Sequence, residues 1–582
     1  MIRRKSAPAI VPGVDLRAAA EAARTAPLRV EGSAKTALET GRTRLAFAGG
    51  IFLLLFLAVA VQLINVSFRP DAERIARAAP RPELPVGALR ADITDRNGVL
   101  LATNLPTVNL YADARLVRDP DRMADDLARV LPDIDGPRTR ERLKSRQAFV
   151  YLHRHLTPAQ QFAVNRLGYP ALKFEDGEMR VYPQGGLFAH VIGKTDIDNR
   201  GISGVELRFD AALKAGEPLR LSLDIRAQTA VTAVLRDAMA AYQAAGAAAI
   251  VQDARTGEVV ALTSLPDFDP NRPETMTPDA MFNRATLGVY EIGSVFKIFN
   301  TAIALESGKI HVSDRFDATA PVQIARYTIH DLHPQKRWLS VPEILVHSSN
   351  IGSARMALDF GAETQRAFLG RFGLLSASAV ELPEVGGPQV PPAPWGQITV
   401  ATVAFGHGIS VSPLQVATAA SAVVNGGVFH PATLVARAAE DAAPGTRAIS
   451  ERTSRMMRRL MRLVVTDGSG RKADVLGYRV AGKTGTAEKV VNGRYSHTAV
   501  LASFLATFPA DAPRYTVLVA LDTPKGTPAT ANFTTAGWNA APTAGKIVAA
   551  IAPMLGVEPA ADPFSGGDPK NGPLMVAAMG KE

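Results

Sequence analysis

The stretch Tyr290 to Leu305, YEIGSVFKIFNTAIAL, constrains this chain more than any other. From Gly293 onward its apolar residues recur on every side of a helix until Gly308 ends it. A helix apolar all round is stable only inside a large core, so the chain must supply layers of structure on all sides of it. Ser294 and Lys297 lie one turn apart at its start, with Gly293 allowing a sharp approach. That spacing puts hydroxyl and amine on one helix face, where a desolvated, deprotonated lysine takes the serine's proton. Alone, the pattern reads more readily as a helix cap beside a solvated lysine. Ser469-Gly-Arg-Lys472 has the same spacing, in surroundings that argue a loop.

Two further motifs reverse that balance. Ser348-Ser349-Asn350 precedes a helical Ile351-Gly-Ser-Ala-Arg-Met-Ala, so a hydroxyl and an amide can both face a cleft from one turn. Lys483-Thr484-Gly485-Thr486 is the third, and Gly477 to Thr484 also matches the phosphate-binding G-x-x-x-x-G-K-[ST] pattern literally. Thr516 to Asp522 even resembles an apolar strand ending in a metal-binding aspartate, which makes a nucleotidase the rival reading. A phosphate loop must lead straight into a helix, however, and here Asn492-Gly493 signals a hairpin turn shortly after Thr486. His330 and His333 lack a third metal ligand and read as loop histidines, and His407 between Gly406 and Gly408 could line a cleft but reads more readily as a structural loop. No G-x-S-x-G elbow is present.

At 582 residues the chain exceeds one core, and its 47% apolar and 21% charged content is globular. The net charge of +10 admits an anionic partner, but no basic run with interleaved aromatics points to nucleic acid. With no cysteine, disulfides, thiolate metal sites and a cysteine nucleophile are excluded. Residues 1–44 read as a basic, mostly disordered cytoplasmic tail. Leu45 to Val66 carries no charge and is long enough to span a bilayer as a single N-terminal transmembrane helix. Arg42 and Arg44 place its start on the cytoplasmic side, and everything beyond it outside. Ala58-Val59-Ala60 would suit a signal peptidase, but the preceding tail is too long for a signal peptide and the apolar run continues past that site. Residues 67–220 open on a proline-rich linker and form a mixed domain with no assembled chemistry. Residues 221–560 hold the three motifs, with strands at both ends and helices between, which predicts an α+β domain built on an antiparallel sheet flanked by helices. Residues 561–582 read as a loose tail.

Taken in order, Ser294/Lys297, Ser348/Asn350 and Lys483/Thr484/Gly485 resemble the S-x-x-K, S-x-N and K-T-G set of the penicillin-recognising serine enzymes. Arg90 to Gly98, Arg180 to Glu206 and Ala261 to Asn271 resemble the pedestal of class B penicillin-binding proteins, and the Ala189 to Glu206 stretch is most similar to the septal FtsI family. The resemblance implies a peptidoglycan D,D-transpeptidase that needs no metal or cofactor. Its substrates would be stem pentapeptides on lipid II-derived glycan, and its partners an FtsW-type glycosyltransferase and other divisome membrane proteins. It implies Ser294 as nucleophile, Lys297 as base, Ser348 as proton relay, Asn350 and Lys483 as further site groups, and Thr484, Gly485 and Thr486 as substrate-binding. The expected location is the inner membrane at the division site, single-pass, with the catalytic domain periplasmic. Ala91, Ile292 and His407 depart from the residues usual in the family, Gly, Pro, and Gln or Tyr respectively. An elongation-type transpeptidase, a β-lactam sensor and a non-catalytic divisome scaffold are the alternatives. A β-lactamase would need a water-activating base, and no Glu-x-x-x-Asn lies between the second and third motifs.

Overall fold

The computed structural model describes residues 46, 49–61, 90–437, 444–491 and 493–560. Residues 49–61 are helical, with Phe52, Leu53 and Phe56 exposed, and belong to a unit of their own ending at Gly87. Among the described residues no helix is long and apolar enough to cross a membrane, and the remainder of the expected 45–66 anchor lies outside them. So do the expected basic tail and the tail beyond residue 560.

In the second unit the chain first builds a sheet around the long strand Leu100–Ala112, which pairs antiparallel with Ile93–Thr94, Val150–Leu156 and Leu172–Val181. Leu219–Arg220 closes it in parallel on Ile93–Thr94. The amphipathic helices Pro120–Val130 and Gly136–Lys144 turn Leu127 and Leu143 inward with Leu110 and Leu156 to make a small separate core. At its base a buried ionic knot gathers residues far apart in sequence. Glu206, 0% exposed, accepts from Arg90 Nε and Arg180 Nε, each at 2.7 Å, and Arg90 Nη1 reaches Asp210 at 2.6 Å.

The larger sheet runs in the order Ala481–Val491, Arg494–Phe508, Tyr515–Asp522, Gly246–Asp253, Val259–Leu265, antiparallel throughout. The last strand of this domain, Tyr515–Asp522, thus pairs with its first, Gly246–Asp253, as strands at both ends of the domain predict. Every residue of Gly246–Asp253 is buried, because helices cover both faces of the sheet. Ile225–Ala241 and Ala540–Met554 pack on one face, where Val231, Leu235, Ile547 and Ile551 meet Val251 and Val517. On the other lie Pro413–Val424 and Glu451–Thr466, and Lys297–Glu306, packed against both, buries every residue from Lys297 to Ala304. The helix that reads as apolar on all sides is therefore surrounded. The segment after Thr486 continues as a strand to Val491, so Gly477 to Thr484 opens no helix and the phosphate-loop reading is excluded.

Candidate active site

Ser294 stands in a tight turn, Gly293–Phe296, that passes directly into the Lys297–Glu306 helix. Gly293 makes the approach with φ of +58°, a region closed to most side chains. Alongside runs the Ala481–Val491 strand, and it comes so near that a Cβ on Gly485 would meet the Ile292 carbonyl at 2.4 Å. Only glycine in the K-T-G motif permits this approach. The second motif is a turn in which Ser348 has φ of +58° and Ser349 caps the Asn350–Phe360 helix through the Gly352 amide.

These elements converge on two buried amines. Lys297, 0% exposed, places Nζ 2.7 Å from Ser294 Oγ, 2.7 Å from Asn350 Oδ1, 2.9 Å from the Ser348 carbonyl and 3.2 Å from Ser348 Oγ. Lys483, also 0% exposed, places Nζ 2.9 Å from that same Ser348 hydroxyl and 3.1 Å from the Thr484 carbonyl. Among the described residues no carboxylate is bonded to either amine. Desolvation opposes charge on Lys297 and the neighbouring Lys483 opposes it further, which together hold the amine well below the ordinary lysine range; the Asp331 carboxylate counteracts them only in part. Burial pushes Lys483 down to about 7. A neutral Lys297 has a lone pair within hydrogen-bond distance of Ser294 Oγ, which is the arrangement a serine needs to lose its proton as it attacks.

A cavity of about 570 Å³ opens over this cluster, lined by Ser294, Ser348, Asn350, Thr484 and Thr486 among others. Lys297 and Lys483 lie beneath its floor, and Gly485 faces away toward Ile292. All eight site residues read from the motifs are thus brought together. Three features had no signal in the sequence. Asp331 accepts from Ser349 Oγ at 2.7 Å and from the Ile351 amide at 2.9 Å, so one carboxylate fixes both sides of the Ser-x-Asn turn. Lys472 sits 3.2 Å above the Trp538 ring at one part of the cavity wall, although its S-x-x-K spacing there forms no serine–lysine pair. Elsewhere on the wall, Glu291 bonds His407, Gly408 and Tyr495. Of the two histidines once candidates for a metal, His330 offers its carbonyl to Asn350 Nδ2 at 3.0 Å and His333 lines the cavity.

Comparison with known proteins agrees with this geometry. Residues 247–548 match the penicillin binding protein transpeptidase domain, and residues 85–218 the penicillin-binding protein dimerisation domain. The chain is 41% identical, over 81% of its length and 82% of the relative's, to a probable peptidoglycan D,D-transpeptidase FtsI of Caulobacter vibrioides. To the peptidoglycan D,D-transpeptidase FtsI of Escherichia coli K12 it is 30% identical, over 83% of this chain and 86% of that one. Among solved structures, penicillin binding protein 3 of Mycobacterium tuberculosis in complex with ampicillin superposes with a TM-score of 0.66 at 26% identity, covering 82% of this chain and 98% of that chain. The three motifs, the buried amines beneath them and these matches across both folded domains lead to one conclusion: the chain belongs to the class B penicillin-binding proteins.

Proposed function

We propose that this protein is a peptidoglycan D,D-transpeptidase that cross-links stem peptides at the division septum through an acyl-enzyme on Ser294. The observation that carries the reading is the 2.7 Å approach of a fully buried, carboxylate-free Lys297 amine to the Ser294 hydroxyl. In the first half-reaction Ser294 Oγ attacks the penultimate D-alanine carbonyl of a pentapeptide while Lys297 takes its proton. The backbone N–H groups of Ser294 and Thr486 receive the developing oxyanion. Ser348, in contact with both amines, passes a proton to the departing D-alanine. Asn350 holds Lys297 and the donor's amide, and Lys483 with Thr484 and Thr486 receives the terminal carboxylate, Gly485 keeping the strand close. An amine of a second stem then attacks the acyl group and the cross-link forms. No built-in base for water accompanies the motifs, so penicillin leaves a long-lived acyl-enzyme and the cleft does not act as a β-lactamase.

Fluorescent penicillin applied to membranes containing the full chain tests this: the wild-type protein is labelled one-to-one and Ser294→Ala is not. Labelling that persists in the variant would refute the nucleophile, and rapid release of the label would make the protein a hydrolase. The intact site argues against the scaffold and sensor alternatives, and the FtsI names of the relatives favour the septum over elongation. The proposed organisation is a cytoplasmic tail at 1–44, an inner-membrane anchor at 45–66, a periplasmic pedestal at 67–220, the catalytic domain at 221–560 and a loose tail at 561–582. The anchor, supported by its uncharged sequence behind Arg42 and Arg44, would meet an FtsW-type glycosyltransferase and other divisome membrane proteins. External protease on spheroplasts should remove everything beyond about Ser67 and spare the tail; mature protein beginning near Val61 would show a cleaved signal peptide instead.

A further inference from the structure

The cavity wall is chemically lopsided along the Ala481–Val491 strand. Thr484, Thr486 and Glu488 are spaced two apart, on one side of the strand, and all line the cavity. Near Thr484 the surroundings are basic: Ser469 Oγ lies 2.6 Å from Thr484 Oγ1, and Arg471 and Lys472 line the same region. Near Glu488, about 13 Å away at the usual strand rise, they are acidic and aromatic. There Glu291 accepts from the Gly408 amide at 2.8 Å and from Tyr495 Oη at 3.0 Å, and its other oxygen lies 3.1 Å from His407 Nδ1. Tyr495 packs on the imidazole with ring centroids 4.8 Å apart. The nucleophile lies between the two ends, because the Gly293 position packs against the Thr486 carbonyl.

The His407 loop is held rigidly against the nucleophile. A Cβ on Gly406 would meet the Gly293 carbonyl at 2.3 Å, so the loop touches the turn that carries Ser294. His407 lines this cavity and a second one of about 470 Å³ beside it, and its side chain is 42% exposed. With Nδ1 engaged by Glu291, Nε2 is the nitrogen a solute meets from either cavity.

The donor carboxylate belongs at the basic end, with Lys483 and Thr484. An acceptor arriving as a cationic ammonium is repelled there and attracted to the other end. Building on the transpeptidase reading, we propose that Glu488, Glu291, His407 and Tyr495 form the acceptor-amine subsite, and that His407 Nε2 takes the proton the acceptor must lose before it attacks. The ammonium gives one proton to His407, whose positive charge Glu291 then balances. The freed amine attacks the acyl carbon, the C–N bond forms and the C–Oγ bond breaks. The second proton of that nitrogen passes through Lys297 to Ser294 Oγ, and the imidazolium returns its proton to water.

The titratable groups facing His407 are Glu291 and Glu488 from the catalytic wall and Tyr495 from the adjoining strand, with His330 across the second cavity. Its hydrogen bond to Glu291 raises the imidazole above the ordinary histidine value, against the opposing effect of burial. A base must be neutral to accept, so transfer should climb as pH rises through that elevated value, and Glu291→Gln should move the climb to lower pH.

The test uses full-chain protein in detergent, a D-alanyl-D-lactate depsipeptide as donor and D-lysine amide as a cationic acceptor. Acylation, hydrolysis and aminolysis are followed separately. In His407→Gln the ratio of aminolysis to acylation should fall about tenfold or more and the pH inflection in aminolysis should vanish, while Glu488→Gln should raise KM for the acceptor more than it lowers kcat. A ratio and pH profile that match the wild type in His407→Gln would overturn the subsite. Failure of the wild-type chain to form any acyl-enzyme would instead overturn the transpeptidase reading, and the subsite with it.

Discussion

The pedestal and the catalytic cleft each bury charge-bearing side chains, and they resolve the cost of doing so in opposite ways. At the base of the pedestal Glu206 is enclosed by Arg90 and Arg180, with each carboxylate oxygen bonded to a guanidinium nitrogen at 2.7 Å. Guanidinium carries a permanent charge, and its desolvation here is offset by attraction to the carboxylate and by hydrogen bonds to both carboxylate oxygens. The knot is an inert clamp joining segments more than a hundred residues apart. In the cleft Lys297 and Lys483 are equally buried and lie close together without a carboxylate between them. Lysine escapes the cost by losing its proton, and a neutral amine beside a hydroxyl is a base. Pairing makes structure; withheld pairing makes reactivity.

That contrast implies separable effects on substitution. Lys297→Ala should lower the rate of penicillin acylation by about 10²–10⁴-fold, the usual contribution of a positioned general base. Because burial and Lys483 disfavour charge on the amine, no ion pair is lost and thermal stability should change little by comparison, and unfolding that accounted for the whole loss would break the contrast. Glu206→Gln should do the reverse. It leaves Arg180 buried without its carboxylate and Arg90 with Asp210 alone, and should cost about 3–5 kcal/mol in urea denaturation of the full chain in detergent. Molecules that remain folded should still acylate. A selective loss of acylation with stability intact would mean that the knot acts on the cleft directly.

Legibility in the sequence follows the distance over which each feature is encoded. Ser294 and Lys297 share one helical turn, so their spacing offers the hydroxyl–amine pair, which outweighs a helix cap once the other two motifs are added, and the all-round apolar pattern indicates that the helix is enclosed. The sheet at both ends of the domain was visible from β-rich segments, because the chain's first and last strands in it, Gly246–Asp253 and Tyr515–Asp522, are nearly continuous apolar runs. The approach of Lys483 to Ser348 spans 135 residues and was accessible only through the motif set. Asp331 lies in a loop whose local sequence gives no sign that its carboxylate will reach the Ser349 turn. His407 read as a structural loop for the same reason: its partner Glu291 is remote in sequence, and only the fold presses Gly406 against Gly293. Local periodicity reports burial well, whereas electrostatic neighbours across elements are set by packing.

A neutral Lys297 in the resting enzyme must show itself in the pH dependence of acylation. In the folded state the amine is depressed far below its ordinary value by burial and by Lys483, so it stays deprotonated until the solution is made considerably more acidic than free lysine would require. The second-order rate constant for penicillin acylation of the full chain should therefore be sustained near neutral pH and fall on the acid side as Lys297 takes up a proton. Lys483→Ala, which removes the neighbouring amine that also disfavours the charge, should move that acid limb to higher pH. An acid limb already in the ordinary lysine range, with acylation collapsing on descent toward neutrality, would show that Lys297 is charged at rest and would contradict the account.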